Sequence, residues 1–207
     1  MYWSMNFLCM IAGLALLAVL PAQADESAKL ATTMEATLDI MYLDAYKDYT
    51  STQRQDAIRA IVEGKYDLEV LIRRAMARNW TLLSADEQMQ VRNLIDQLIV
   101  KSFVEGMAGK DRPILDCGAV IELSSKRIEV PVVISFPSGK TFNVLYRFGL
   151  LKTGWEIYDI VAEDISIVSN YRQQFDDHFR KENGALLIKK LEKLLEQEKL
   201  DAEKITL

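Results

Sequence analysis

The segment from Trp155 to Phe175, WEIYDIVAEDISIVSNYRQQF, constrains the fold of this 207-residue chain more than any other stretch. Aromatic and branched side chains dominate its first eight residues, and such residues favour a β-strand. From Ser166 onward the spacing is that of a helix. Because only a few residues separate the two patterns, we expect a strand at the end of a sheet to pass directly into a helix packed on or beside that sheet.

The residues before this segment alternate as expected for an antiparallel hairpin. Pro137-Ser138-Gly139 is a tight turn between two strands, and Lys152-Thr153-Gly154 predicts the turn that leads into Trp155. The two hairpin strands carry their apolar side chains on one face: Ile128, Val130, Val132, Ile134 and Phe136, followed by Phe142, Val144, Tyr146 and Phe148.

The segment Cys117 to Leu123 predicts one earlier strand, which gives a four-stranded antiparallel meander in total. Pro131 cannot donate to a strand ladder, so we expect it on an edge strand or at a bulge.

Helical patterns flank the predicted sheet on both sides. Upstream, apolar stripes predict helices over 27–48, 53–63, 67–80 and 84–106, and Ser84 with Glu87 forms a capping box at the start of the last of these. Downstream, one helix runs from Ser166 to Asn183-Gly184 and another carries an apolar stripe over 187–195, before a charged tail over 196–207. Helices, then sheet, then helices is an α+β arrangement.

The first 24 residues have the features of an export signal. Phe7 to Leu20 is an apolar run too short for a comfortable membrane span, and Ala22 and Ala24 form the A-x-A pattern of signal peptidase sites. No Lys or Arg precedes the run. We predict a signal peptide over 1–24, cleaved after Ala24, and a single domain over 25–207; an uncleaved amphiphilic anchor is the alternative.

Charge and cysteine content exclude several functions. The chain has 25 basic and 30 acidic residues and a net charge of −5, which argues against nucleic acid and against unaided adsorption to an anionic bilayer. Cys117 is the single cysteine after the predicted cleavage, so no intramolecular disulfide is expected. We expect it to be a small buried hydrophobe rather than a reactive thiol.

Residues suited to catalysis or metal binding are scarce. His178 is the only histidine, it has acidic neighbours, and we expect it to be exposed or to cap a helix. The sequence lacks the ligands for a transition-metal site, and it has no glycine-rich phosphate loop and no GxSxG or HExxH motif. We therefore expect neither a metal nor a cofactor, and a function other than catalysis.

Asp159 is the one candidate general base. It alternates in phase with Trp155 and Ile157, so an interior face would bury a carboxylate that could abstract a proton. The interpretation that we favour is an ion pair with Arg147 or Arg172, and Arg172 is the first choice because it would tie the sheet to the next helix.

The basic cluster of Arg73, Arg74 and Arg78 has two interpretations as well. A solvated face is the usual one, and a contact with a partner or a lipid head group is the alternative.

The last third of the chain resembles a known family. GWEIYDIVAEDISIVSNYRQQF is similar to W-x-V-Y-D-V…G-V-S-L-V-x-N-Y-R-x-Q-F, the signature of the MlaC (toluene-tolerance) family of the Gram-negative periplasm. The resemblance is strong from about Val130 to Leu194 and general upstream, where Trp80 to Gln88 looks like a family element. Asp164 stands where the family usually has glycine. The matching residues are Gly154, Trp155, Tyr158, Asp159, Ser166, Val168, Asn170, Tyr171, Arg172 and Phe175.

The resemblance implies a soluble, monomeric periplasmic shuttle. Such a protein carries glycerophospholipids between an outer-membrane lipoprotein complex and an inner-membrane ABC-transporter complex, and supports the lipid asymmetry of the outer membrane. It also implies a curved sheet of the nuclear-transport-factor or cystatin-like type, with helices around an apolar pocket and the head group near the mouth. No catalytic residue or cofactor comes with it.

We expect the pocket to be lined by apolar residues from the sheet and from the third predicted helix. A hopanoid or another apolar lipid would be a different cargo for the same pocket. Two hypotheses dispense with a carrier, namely an enzyme that uses Asp159 and a docking adaptor with a filled core. The predicted lipid-binding residues are Leu71, Met76, Trp80, Val132, Ile134, Phe142, Val144, Tyr146, Trp155 and Ile157.

Overall fold

The computed structural model describes residues 21–197, with side chains from residue 26 onward. The predicted signal peptide up to residue 20 and most of the predicted charged tail lie outside the described residues. The first described helix begins at Pro21 and continues through the predicted cleavage position after Ala24. In the described part of the chain, no helix combines the length and the apolar character needed to cross a membrane.

In the part of the chain that the structure describes, six α-helices flank the sheet in sequence. They are α1 (Pro21–Tyr42), α2 (Ser51–Glu63), α3 (Glu69–Met76), α4 (Ala85–Met107), α5 (Ile167–Phe179) and α6 (Gly184–Glu196). Short 3-10 helices cover Asp44–Tyr46 and Ala77–Leu82.

The ends of these helices follow local capping chemistry. The predicted capping box is confirmed, because the Ser84 hydroxyl accepts from the Glu87 N–H and the Glu87 carboxylate accepts from the Ser84 N–H. Thr50 and Gln53 form a second box at α2. The helix predicted up to Trp80 stops at Met76, since Ala77 has φ +48° and breaks the α-helical path.

Within residues 21–197 the sheet has six antiparallel strands rather than the predicted four. They are β1 (Ile114–Cys117), β2 (Ile121–Ser124), β3 (Arg127–Ser135), β4 (Thr141–Leu151), β5 (Gly154–Ala162) and β6 (Ile165–Ser166). The order is β1-β3-β4-β5-β6, and β2 pairs with the same edge of β3 as β1. The prediction was wrong because the segment taken as one early strand is two short strands, and because two-residue β6 is too short to show alternation.

Pro131 explains the break between β1 and β2. It lies in β3, which is not an edge strand, and it faces the gap where β1 has ended at Val132 and β2 pairs from Glu129. In this gap Gly118 N–H donates to the Pro131 carbonyl at 2.8 Å. A Cβ on Gly118 would lie 2.9 Å from the Pro131 ring, so glycine permits the close approach.

The inner face of the sheet carries the predicted apolar residues. In β3 and β4, Val130 pairs with Tyr146, Val132 with Val144 and Ile134 with Phe142, which confirms the hairpin and its alternation. Helices pack against this face, and the resulting main core includes residues of α3, α4, α5 and α6. A second, smaller core cluster of Ile40, Ile58, Val100 and Val104 joins α1, α2 and α4.

Candidate functional site

A cavity of about 290 Å³ lies between the inner face of the sheet and helices α1, α2 and α4. We call it the sheet cavity. Residues from both core clusters contribute to its wall, so the space separates the two clusters. Its described lining is Leu30, Thr33, Met34, Thr37, Leu38, Ile58, Val62, Tyr66, Leu68, Ile99, Val100, Phe103, Met107, Pro113, Leu115, Ile134, Tyr146, Ile157 and Ile160.

The polar side chains in this wall do not make the cavity polar. Thr33 and Thr37 donate their hydroxyl hydrogens to backbone carbonyls of their own helix, those of Lys29 and Met34, both at 2.7 Å. A threonine whose hydroxyl is bonded in this way presents its methyl group to its surroundings. The sheet cavity therefore suits an apolar ligand.

Two tyrosines in the wall stay uncharged. Burial raises the pKa of Tyr146 to about 12, and it raises the pKa of Tyr66 as well. The Tyr66 hydroxyl is buried and has no hydrogen-bond partner within the described residues. Its ring packs against Phe148, with the ring centroids 5.9 Å apart.

A second, partly open cavity of about 250 Å³ lies between α3, α4, α5 and α6, and we call it the helix cavity. Its wall is apolar except for the hydroxyl of Ser102 and the phenol of Tyr171. The described lining is Leu71, Ile72, Ala75, Ile95, Leu98, Ile99, Ser102, Ile167, Tyr171, Phe175, Leu191 and Leu194.

The predicted lipid-binding residues fall into several places. Ile134, Tyr146 and Ile157 line the sheet cavity, and Leu71 lines the helix cavity. Val144 is half-buried on the inner face. Phe142 borders a separate surface cleft beside the β3–β4 turn. The remaining four are buried in the main core without lining either cavity: Met76, Trp80, Val132 and Trp155.

Sequence reasoning missed most of the wall that α1, α2 and α4 supply. The signal was present, because Leu30, Met34 and Leu38 recur at helical spacing in α1. An apolar stripe predicts burial, but it does not distinguish a side chain that borders a void from one that fills the core.

A polar cluster lies where α2, α3 and α4 approach one another. Arg92 lies 3.1 Å from a Glu69 oxygen and 3.4 Å from an Asp67 oxygen. Asp96 is buried, its Oδ1 has no hydrogen-bond partner in the described part of the chain, and its Oδ2 is 3.9 Å from Arg92 Nε. Burial raises the pKa of Asp96 to about 6 against the attraction of Arg92. Charged groups thus stand one helical turn from the cavity residue Ile99.

Asp159 lies on the outer face of the sheet, away from both cavities. A bulge opposite Arg147 and Phe148 inserts Tyr158 into β5 and so reverses the alternation predicted from Trp155 and Ile157. Asp159 Oδ2 is 3.2 Å from Arg147 Nη1, and its carboxylate also accepts from the Ser166 hydroxyl and the Val168 N–H. The predicted ion pair is confirmed with Arg147.

The choice of Arg172 as the partner of Asp159 was wrong. Arg172 donates from Nη2 to the backbone carbonyl of Arg74 at 2.7 Å. In the predicted basic cluster, Arg73 pairs with Glu69, Arg78 with Asp176, and Arg74 stacks over the Tyr158 ring at 4.6 Å.

His178 is buried, so the expectation of an exposed side chain was wrong. It is 4% exposed, its Nε2 lies 3.0 Å from the Asn183 carbonyl oxygen and its Nδ1 lies 3.3 Å from Lys190 Nζ. It thus joins the end of α5 to α6.

Cys117 is half-buried, and burial raises the pKa of its thiol. No group of three or more His, Cys, Asp or Glu in the described residues is placed to hold a metal ion.

Fold and cavities together define a class of α+β proteins in which helices enclose apolar space against one face of an antiparallel sheet. The sequence assigns the chain within this class, since a family model described as MlaC protein matches residues 31–193. The chain belongs to the MlaC family, which confirms the resemblance seen in the signature segment.

The chain has the same fold as a solved structure that binds a lipid. That structure is of a phospholipid-binding protein from Ralstonia solanacearum, determined in complex with a phospholipid. The TM-score is 0.70 at 17% sequence identity, and the similarity covers 83% of this chain and 95% of that chain. A comparison with curated proteins found no match.

Proposed function

We propose that this protein binds a glycerophospholipid with the acyl chains inside its apolar cavities, and that it carries the lipid across the periplasm. The observation that supports this most directly is the sheet cavity, whose wall consists mainly of aliphatic and aromatic side chains and whose threonine hydroxyls are bonded to their own helix. Membership in the MlaC family and the similarity to a phospholipid-binding protein agree with this ligand.

A lipid needs such an enclosure to cross an aqueous compartment. Removing one methylene from water contributes about 0.8 kcal/mol, so about 30 methylenes of two acyl chains contribute about 25 kcal/mol. An open apolar groove would leave much of this surface in water. A cavity that covers the chains on all sides lowers the barrier to leaving a bilayer.

The proposed route has three further parts. Residues 1–24 direct export and are removed after Ala24, which places the mature chain in the periplasm. The carrier acts as a monomer without a cofactor. It exchanges lipid with an outer-membrane lipoprotein complex at one end and with an inner-membrane ABC-transporter complex at the other, and the head group stays near the mouth of the cavities.

Extraction of the purified protein tests the proposal. Protein purified from cells without added lipid is treated with organic solvent, and the extract is analysed by mass spectrometry. We expect about one glycerophospholipid for each protein molecule, and uptake of labelled phospholipid from vesicles by delipidated protein. Repeated absence of both would refute a lipid carrier, whereas a hopanoid or another apolar lipid in the extract would change the cargo only.

The geometry gives no support to an enzyme that uses Asp159. This residue lines neither cavity, and its carboxylate is engaged by Arg147, Ser166 and the Val168 N–H. A general base needs a free acceptor within reach of its substrate.

A further inference from the structure

Helix α4 forms a wall that the two cavities share. Residues Val100, Phe103 and Met107 face the sheet cavity, and Ile95, Leu98 and Ser102 face the helix cavity. Ile99 is the one described residue that lines both.

Helix geometry explains why Ile99 has this position. Successive residues of an α-helix are rotated by about 100°, so positions four apart are offset by about 40°. Phe103 therefore lies about 40° to one side of Ile99, and Ile95 lies about 40° to the other side. Ile99 therefore lies between the face of α4 that borders the sheet cavity and the face that borders the helix cavity.

Ile99 is exposed, although the residues on both sides of it in α4 are buried. Its side chain is 40% exposed, whereas its neighbours Leu98 and Val100 are 7% and 3% exposed. A residue that borders two spaces has few atoms to pack against on either side.

The cavity volumes also favour a ligand that occupies both cavities. The sheet cavity of about 290 Å³ is slightly below the range of about 300–1,000 Å³ that is usual for small-molecule sites. The helix cavity holds about 250 Å³, and the two together hold about 540 Å³, within that range. One lipid molecule with two chains is matched better by both spaces than by either alone.

We infer that the helix cavity is a second compartment of the lipid site, that the two alkyl chains of one lipid divide between the two cavities, and that Ile99 marks the branch point. This inference rests on the proposed function. A chain in the helix cavity would meet the methyl and methylene groups of Leu71, Ile95 and Leu191, and Ser102 would be its nearest hydroxyl-bearing neighbour on α4.

A chain-selective binding assay tests the inference. Delipidated protein is loaded from vesicles of dioleoyl phosphatidylglycerol, or with 1-oleoyl lysophosphatidylglycerol, which has the same head group and a single chain. Bound lipid is counted by native mass spectrometry. The test variant is Ser102→Phe, which places a ring in the helix cavity, and the control is Asn93→Phe on an exposed position of the same helix.

We expect Ser102→Phe to bind the two-chain lipid at least about tenfold more weakly, because each methylene kept out of the cavity weakens binding about fourfold. Binding of the single-chain lipid should be retained, since the sheet cavity is unchanged. Asn93→Phe should bind both lipids as the wild type does. Equal weakening of both lipids by Ser102→Phe, or no change in either, would overturn the division of the chains.

Photolabelling of the wild-type protein gives a second measurement. It uses no variant, so its result does not depend on whether a variant folds. A two-chain phosphatidylglycerol with a diazirine at the end of each chain should label α1 or α2 and also α5 or α6. A diazirine next to the glycerol should label α4 around Ile99. Terminal labels confined to the sheet-cavity helices would overturn the inference while leaving the proposed function intact, and the failure of wild-type protein to bind either lipid would refute the proposed function itself.

Discussion

Arg147 Nη1 lies 3.2 Å from Asp159 Oδ2 on the outer face of the sheet, and Arg147 Nε lies 2.9 Å from Glu129 Oε1. One arginine of β4 therefore links β3, β4 and β5 by charge. Asp159 also accepts from the Ser166 hydroxyl and the Val168 N–H, which fixes the start of α5 to β5. The Asp159 carboxylate therefore connects strand β5 to the start of helix α5.

Removal of the Asp159 carboxylate should destabilise the fold without affecting lipid binding. Because Asp159 is 7% exposed and holds several donors, we expect Asp159→Ala to lower the free energy of unfolding by about 2 kcal/mol. The exposed pair of Asp177 and Arg180 is a control, and Asp177→Ala should change the free energy by less than about 0.5 kcal/mol. Urea unfolding measures both. Loss of lipid retention in folded Asp159→Ala would contradict this assignment.

Sequence patterns predicted the elements of this fold better than their junctions. Alternation in β3 and β4 placed the correct residues on the inner face. The bulge at Tyr158 could not be predicted, because one inserted residue leaves no mark on composition, and it moved Asp159 to the other face. Arg172 was preferred because it would tie the sheet to the next helix, but the strand register places Asp159 directly opposite Arg147.

The candidate site was less predictable than the fold for a different reason. Val132 and Ile134 are equivalent in the sequence pattern. Val132 is nevertheless fully buried in the core, whereas Ile134 borders the sheet cavity. The difference depends on how far α1 and α4 stand from the sheet. Spacing along one chain segment carries no information about that distance.

The turn between β5 and β6 offers a stability test. Glu163 and Asp164 have φ values of +46° and +65°, in the left-handed region that favours glycine. We expect Asp164→Gly to raise the free energy of unfolding by about 0.5–1 kcal/mol, measured by thermal or urea unfolding. Glu163→Gly should gain less, because Glu163 Oε1 accepts from the Asn143 N–H at 2.6 Å. A larger gain at residue 163 than at residue 164 would contradict this account.

Asp96 should make the stability of the protein depend on pH between about 4 and 6. Its ordinary pKa of 3.8 is raised to about 6 in the folded chain, where Arg92, Arg59, Glu63 and Asp67 are the charged neighbours. As pH rises through this window, the unfolded chain loses the proton first, so the folded state binds more protons and the free energy of unfolding falls. The full change is about 3 kcal/mol.

Asp96→Asn tests this assignment, since asparagine has nearly the same shape and does not titrate. We expect the variant to be more stable than the wild type at pH 7 and about equal to it or less stable near pH 4. Urea unfolding from pH 4 to pH 8 gives the difference between the two curves. Parallel curves across this range would show that Asp96 has an ordinary pKa in the folded protein.

Replacement of glycine by alanine should have opposite effects on stability at Gly184 and at Gly106. A Cβ on Gly184, at the start of α6, would lie 2.5 Å from Leu83 Cδ2 and 2.7 Å from Glu87 Oε1. A Cβ on Gly106 in α4 would meet nothing within 4 Å. We expect Gly184→Ala to destabilise the protein by about 1–3 kcal/mol, because Leu83 is buried and the Glu87 carboxylate is held by the Ser84 N–H, so neither side chain is free to move away. We expect Gly106→Ala to stabilise it by about 0.5–1 kcal/mol. Thermal unfolding of both variants measures the contrast, and a stabilising Gly184→Ala would show that α6 can move away from α4.

The alternation of β3 allows a matched test of the sheet cavity. Ile134 lines the cavity, and its neighbour Val133 points to the opposite face of the same strand. An arginine at position 134 would place a charge among acyl methylenes, where it can neither be hydrated nor paired, so we expect Ile134→Arg to retain less than about a tenth of the wild-type lipid. Val133→Arg should retain the wild-type amount.

Mass spectrometry of lipid extracts from equal amounts of each folded variant measures this difference. Circular dichroism and the unfolding midpoint establish that both variants are folded, because a change at the inner face also affects packing. Equal lipid content in the two variants would place the acyl chains outside the sheet cavity. Loss of lipid in Val133→Arg alone would move the binding surface to the outer face, where Arg147 and Asp159 lie.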